Sequence, residues 1–294
     1  MTYKIILAVI GGYDGDTAVL ETARTLATRF HAHIDVLHVR ADPYTLPYLE
    51  AGVAPSVTAS LLAAVDAQVQ TRRNVAWDNF TRWREAAKLT EAEPPSADPS
   101  RPTVRWIERK GNEEEIGAQG RFADLIVLGQ PSREQENVTT AFLAGSFESA
   151  LFGTPRPVLV VPPGYDAHSL FKGPVAVAWN GSLEADRALG AALPLIAQAG
   201  SAVVFIGEEP GRRHVPDIAG LKTFLKRHNI EARIVEAEMQ SAEVGARILK
   251  GAQDSGAGAL VMGAYTHSRL REFVLGGTTN YVSAHARIPV LMAH

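Results

Sequence analysis

The chain repeats itself, and this constrains its fold more than any other feature of the sequence. "ADLIVLG" (Ala123–Gly129) and "GALVMG" (Gly258–Gly263) are short apolar runs that each end in glycine. "TPRPVLVVP" (Thr154–Pro162) is matched by "ARIPVLMAH" (Ala286–His294). Pro157 and Pro289 lie 132 residues apart, Gly129 and Gly263 lie 134 apart, so the halves keep register to within two residues. Their beginnings match as well. "KIILAVIGGYDGDTAVLETARTLATRF" and "PVAVAWNGSLEADRALGAALPLIAQAG" each give a β-rich run, a turn of small polar residues, and then apolar residues at helical spacing.

Two copies of one domain are therefore expected, over residues 1–163 and 172–294, joined through the Pro/Gly-containing "PPGYDAHSLFKG" (Pro162–Gly173). The expected strands are 4–10, 33–39, 103–108, 124–128 and 158–161, then 174–179, 202–207, 232–236, 259–262 and 289–293. Several are continuous apolar runs, the pattern of strands covered on both faces. Alternation with helices predicts two tandem doubly wound five-stranded parallel sheets with flanking helices, a Rossmann-like α/β architecture. In the second copy Leu183, Ala188, Leu189, Ala192, Leu195 and Ile196 share one helical face, with Asn180 or Ser182 as the cap. The first copy carries an insertion over 56–101: a helix-prone stretch from Ser56 to Leu89, then "TEAEPPSADPSRP". Trp77, Phe80 and Trp83 recur within it at helical spacing, as a packing stripe would.

A net charge of −3 gives no footprint for nucleic acid. The absence of cysteine removes disulfides, thiolate metal sites and cysteine nucleophiles. The apolar run Ile5–Ile10 is too short for a signal peptide or a membrane span, so a cytoplasmic protein without membrane contact is expected.

Parallel sheets bind ligands beyond the C-terminal ends of their strands. After the fourth strand of the second copy comes "MGAYTHSRLREFVLGGTT" (Met262–Thr279). Gly263, Gly276 and Gly277 allow close backbone approach to an anion, and a helix starting near Gly277 offers free N–H groups. Thr278 and Thr279 add hydroxyl donors, Arg269 or Arg271 positive charge. His267 could contact phosphate or sit in solvent. No Gly-Lys-Ser/Thr is present, so this is not a Walker loop, and small residues before a helix also serve as ordinary caps.

This segment resembles the nucleotide-binding signature of universal stress proteins, Gly-x2-Gly-x9-Gly-Ser/Thr, set between the fourth strand and the last helix. With "VAVAWNGS" and "IPVLMAH" as first and closing strands, the whole chain resembles a tandem member of that family. The resemblance implies that adenine nucleotide (ATP, with or without Mg2+) is held in the second half, in a regulatory rather than an enzymatic role. Gly263 matches the first motif glycine and Gly276 the third, while Thr266 replaces the second and Gly277 stands where Ser or Thr is common. Asn180 stands in the place of an aspartate, and Ile206 would bring backbone to the adenine. The first copy departs further: Gly11 or Gly12 replaces the aspartate, Ser132 replaces the second glycine, and twelve residues separate it from Gly145. There Gly145 and Ser146 are expected to cap a helix. Family dimers pair through the last strand, so 158–161 should meet 289–293 in an intramolecular pseudo-dimer, with a homodimer of chains also open. The alternative is a nucleotide-free scaffold acting through an unknown protein partner.

Other motifs are weaker. "HAH" (His31–His33), with His38 beyond, has no carboxylate or cysteine at a recognised metal spacing. Glu113–Glu115 after Asn112 suit the positive end of a helix.

Overall fold

The computed structural model describes residues 2–42, 55–92, 101–131, 138–208, 217–238, 244–265 and 277–294. In the first half, strand β1 (Ile5–Val9) leads to helix α1 (Asp16–Phe30), β2 (His33–Ala41) and α2 (Pro55–Ala86). Then come β3 (Thr90–Glu91), β4 (Thr103–Gly111), α3 (Glu114–Gly120), β5 (Leu125–Gly129), α4 (Val138–Gly153) and β6 (Val158–Val161). A 3-10 turn at Ala167–Ser169 precedes the second half. That half consists of β7 (Val175–Trp179), α5 (Leu183–Ala199), β8 (Ser201–Glu208), α6 (Ile218–Arg227), β9 (Glu231–Glu238), α7 (Val244–Asp254), β10 (Ala259–Gly263), α8 (Gly277–His285) and β11 (Val290–Ala293).

Among the described residues eleven strands form one sheet in the order β3-β4-β2-β1-β5-β6-β11-β10-β7-β8-β9. Within each half the five long strands are parallel, first strand central. The halves join where β6 and β11 run antiparallel, Val160 opposite Val290 and Val158 opposite Met292. What reads as two sheets is thus continuous. The antiparallel join also points the strand ends of the two halves in opposite directions.

The helices cover both faces, so β5, β6 and β11 are buried at every residue, as continuous apolar runs require. In α5, Ala188, Leu189, Ala192, Leu195 and Ile196 form the buried stripe, but Leu183 is 69% exposed. Ser182 is the cap, its Oγ accepting the Ala185 N–H at 3.2 Å. Leu183 therefore lies in the first helical turn, before the stripe reaches the sheet.

The insertion is mostly one 32-residue helix, α2. Its second half seats Ala76, Phe80 and Trp83 against the first half's core, with Trp77 partly buried beside them. Trp106 of β4 stacks into this group, 5.2 Å from the rings of both Trp77 and Phe80. Phe80 is fully buried, so the aromatic repeat in the sequence is a packing stripe. Thr90–Glu91, in the Pro-rich tail of the insertion, pairs with β4 as an edge strand. Asn112 and Glu114 open α3, the Asn112 Oδ1 accepting the Glu114 N–H at 3.1 Å.

Candidate functional site

The central strand of the second half, β7, has β8 on one side and β10 on the other. The connections to these neighbours depart in opposite directions across the sheet, which makes the C-terminal end of β7 the topological switch point, where open parallel sheets form their ligand crevice. Trp179 lies level with Ile206, and Ala178 with Met262. Asn180 one residue past β7, Ile206 in β8 and Gly263 at the end of β10 are therefore gathered at one edge. The first turn of α8, with Gly277, Thr278 and Thr279, follows from β10. Thr266, His267, Arg269, Arg271 and Gly276 lie outside the described residues.

Individual roles differ from what spacing suggested. Gly263 is required for packing: a Cβ there would sit 2.5 Å from the Ala185 backbone nitrogen. The start of α5 thus presses directly on the end of β10. Ile206 is 2% exposed and belongs to the core. Thr279 is buried, while Gly277 is exposed and Thr278 is half-buried. Asn180 Oδ1 accepts the Ser182 N–H at 3.1 Å, an Asx-turn that shapes the loop into α5 around Gly181, whose φ is +71°. Trp179, at the strand end, donates its indole N–H to Asp186 at 2.8 Å. β8 continues to Glu208, two residues past Ile206.

One residue at this edge carries no motif signal. Tyr265 follows Gly263 with φ +58°, in the left-handed region. Its ring lies 5.1 Å from that of Phe152, which belongs to α4 of the first half, and its hydroxyl donates to Asn280 Oδ1 at 3.5 Å. His294 also meets Phe152 edge-on at 5.0 Å. The antiparallel join brings this first-half helix end beside the second half's strand ends, a placement that local sequence cannot encode.

The corresponding edge of the first half is filled from within. Asp16, in the first turn of α1, folds its carboxylate back onto the loop after β1. Gly11 donates its N–H to Oδ1 at 3.1 Å; Gly12 and Tyr13 donate to Oδ2 at 2.8 and 3.2 Å. This is an anion-binding concavity of backbone donors occupied by the chain's own anion. Burial pushes the Asp16 carboxyl up to about 6, against the opposing pull of those three N–H bonds and of Asn79 in α2. Helix α2 closes the loop from above: a Cβ on Gly12 (φ +78°) would lie 2.4 Å from the Arg72 carbonyl oxygen. Tyr13 is pinned by the Arg72 guanidinium and by Phe142. The insertion thus covers the first half's strand ends. Gly145 and Ser146 do not cap α4; the helix already begins at Val138, and Ser146 is 1% exposed in its interior. Gly145 permits close packing instead, a Cβ lying 3.1 Å from Glu113 Cγ.

His31, His33 and His38 have structural roles. His31 is the left-handed C-cap of α1, so it does not share a strand face with His33. His33 Nδ1 lies 2.7 Å from Thr103 Oγ1, and His38 Nδ1 donates to the Ile10 carbonyl at 3.1 Å. Burial holds the His38 imidazole below its usual range. Among the described residues no group of three or more His, Cys, Asp or Glu is placed to hold a metal. Nor is any helix among them long and apolar enough to cross a membrane.

Comparison with known proteins adds three findings. The model of the universal stress protein family matches residues 2–162 and again 173–294. A universal stress protein of Synechocystis sp. is 28% identical over 170 residues, 57% of this chain; the matched region spans 57% of that relative's length. Among solved structures, a universal stress protein of Archaeoglobus fulgidus superposes with a TM-score of 0.67 at 18% identity, covering 98% of this chain and 97% of that one. A functionally unknown protein of Pseudomonas aeruginosa gives a TM-score of 0.57 at 16% identity, covering 99% and 92%. At these identities the structural likeness speaks for the fold.

Proposed function

The chain belongs to the universal stress protein family, matched twice along its length, and from that membership we propose that its second half binds an adenine nucleotide, ATP, with or without Mg2+. In this reading 1–163 and 172–294 are the two domains, and together they make a pseudo-dimer within one chain. The observation that carries the proposal is the contrast between the halves. Backbone donors at the first half's strand ends are already engaged by Asp16 and lie under α2. In the second half Asn180, Ile206 and Gly263 share the strand-end edge at the switch point, and among the described residues nothing lies within 4 Å of a Cβ built on Gly277.

The residues present fit an anionic ligand. The first turn of α8 presents backbone N–H groups that have no partner within the helix, together with the positive end of its dipole. Thr278 is the hydroxyl left at the surface beside it, and Thr266, His267, Arg269 and Gly276 are the loop residues proposed to complete the site. Asn180, whose Oδ1 shapes the loop into α5, would face the nucleotide as a neutral rather than a charged group. The role proposed is regulatory: bound nucleotide changes the surface offered to a protein partner. The test is an ATP titration of the purified protein and of Gly276→Asp. Micromolar binding by the parent and its loss in the variant are expected; equal affinity, or none in the parent, defeats the assignment.

One observation favours a second reading, a nucleotide-free scaffold. Gly263, the motif glycine in the described crevice, already has a packing role against α5. Mass spectrometry of small molecules released from freshly purified protein separates the two, because a co-purified adenine nucleotide excludes the scaffold reading.

A further inference from the structure

A groove of about 880 Å³ opens at the end of the second half opposite the crevice, where β10 and β11 begin. Ala257, Gly258 and Ile288 are at its base, α7 contributes Leu249 and Lys250, and α8 contributes Tyr281 and His285. The segment joining the halves closes the third side with Tyr165 and Lys172. We propose that this groove is a second binding site, for a small organic anion with an apolar or aromatic body, independent of the nucleotide reading.

Its shape is fixed by close packing. Tyr281 lies against α7 so tightly that a Cβ on Gly245 would come within 2.9 Å of its ring. On its other side it stacks on His285, centroids 4.2 Å apart and planes 16° from parallel. Tyr281 is nonetheless 41% exposed. Tyr165 is tied to the strand start, its hydroxyl donating to the Gly258 carbonyl at 2.9 Å. A Cβ on Gly258 would meet the Leu170 carbonyl oxygen at 2.4 Å, so the joining segment is seated directly on β10. The volume falls in the range of sites that take small organic ligands.

The charge around the groove decides the ligand class. Lys172, Lys250 and Arg287 line it against one acid, Asp254. Asp254 is engaged by Lys250 at 2.8 Å. Lys172 reaches only the exposed Asp166, at 4.0 Å. Arg287 has no ion-pair partner among the described residues. The C-terminal ends of α7 and α8 lie nearby and their dipoles disfavour an anion by themselves. Two cations without close partners outweigh that over an apolar base, and Arg287 can hold a carboxylate, sulfonate or phosphate through paired N–H donors.

Anilinonaphthalene sulfonate, a fluorescent aromatic sulfonate, is the probe that tests this. Full-length protein should bind it saturably at one site per chain. The exposed pair Lys172→Glu/Arg287→Glu should weaken that binding about tenfold or more, with the circular dichroism unchanged. Uncharged anilinonaphthalene should bind more weakly than the sulfonate. Unchanged affinity in the double variant, equal binding of the uncharged compound, or no saturable binding overturns the proposal.

Discussion

Asp16 Oδ2 accepts the backbone N–H of Gly12 at 2.8 Å, and the carboxylate so held is almost wholly buried. Its pKa is pushed up to about 6, burial outweighing the hydrogen bonds that favour the charged form. An acid whose folded pKa lies above its unfolded value stabilises the fold fully below the unfolded pKa. That contribution is lost as pH rises through the folded one. Between pH 7 and pH 5, wild type should therefore gain stability relative to Asp16→Asn, on the order of 1 kcal/mol. Denaturant unfolding of both proteins at the two pH values measures it, and a relative loss on acidification would contradict the assignment.

The glycine that ends β10 gives a second expectation. Because a Cβ at Gly263 meets backbone atoms of α5 rather than a flexible side chain, Gly263→Ala must push strand and helix apart. A loss of roughly 1–3 kcal/mol is expected from such overpacking. Gly277→Ala meets nothing among the described residues and should leave the unfolding midpoint within experimental error.

Phe80 reports on the seat of α2. It is fully buried and shares the aromatic cluster with Trp77, Trp83 and Trp106. Phe80→Ala should cost about 3–5 kcal/mol and change the near-ultraviolet tryptophan dichroism, since three of the chain's four tryptophans pack there. A spectrum identical to wild type would mean that α2 is not held on this face.

Nucleotide stoichiometry follows from the contrast between the halves. One ATP per chain is expected, because the first half's loop donors are bound to Asp16 and covered by Arg72. Calorimetric titration giving two equivalent sites would refute this.

Much of the architecture was legible in the residues. Uninterrupted runs such as "DLIVLG" can lie only where both faces are covered, and β5 is buried throughout. The stripe of α5 follows from its 3.6-residue spacing, except at Leu183, where periodicity extends one turn beyond the sheet. Of the candidate site, the placement of some residues was legible: Asn180, Ile206 and Gly263 do come to one edge, since strand order fixes where chain ends meet. The burial of Thr279, the packing role of Gly263 and the presence of Tyr265 against Phe152 were not legible. Each depends on an element distant in sequence.

By itself the sequence determined two α/β halves, their strands and their register, because backbone periodicity and solvent exclusion act locally and leave their spacing in the chain. Only the tertiary structure decided that the first half's strand ends are closed. A backbone N–H can be satisfied by any acceptor that the fold brings near, and in the first half that acceptor is Asp16 beneath a helix inserted some forty residues later in the chain.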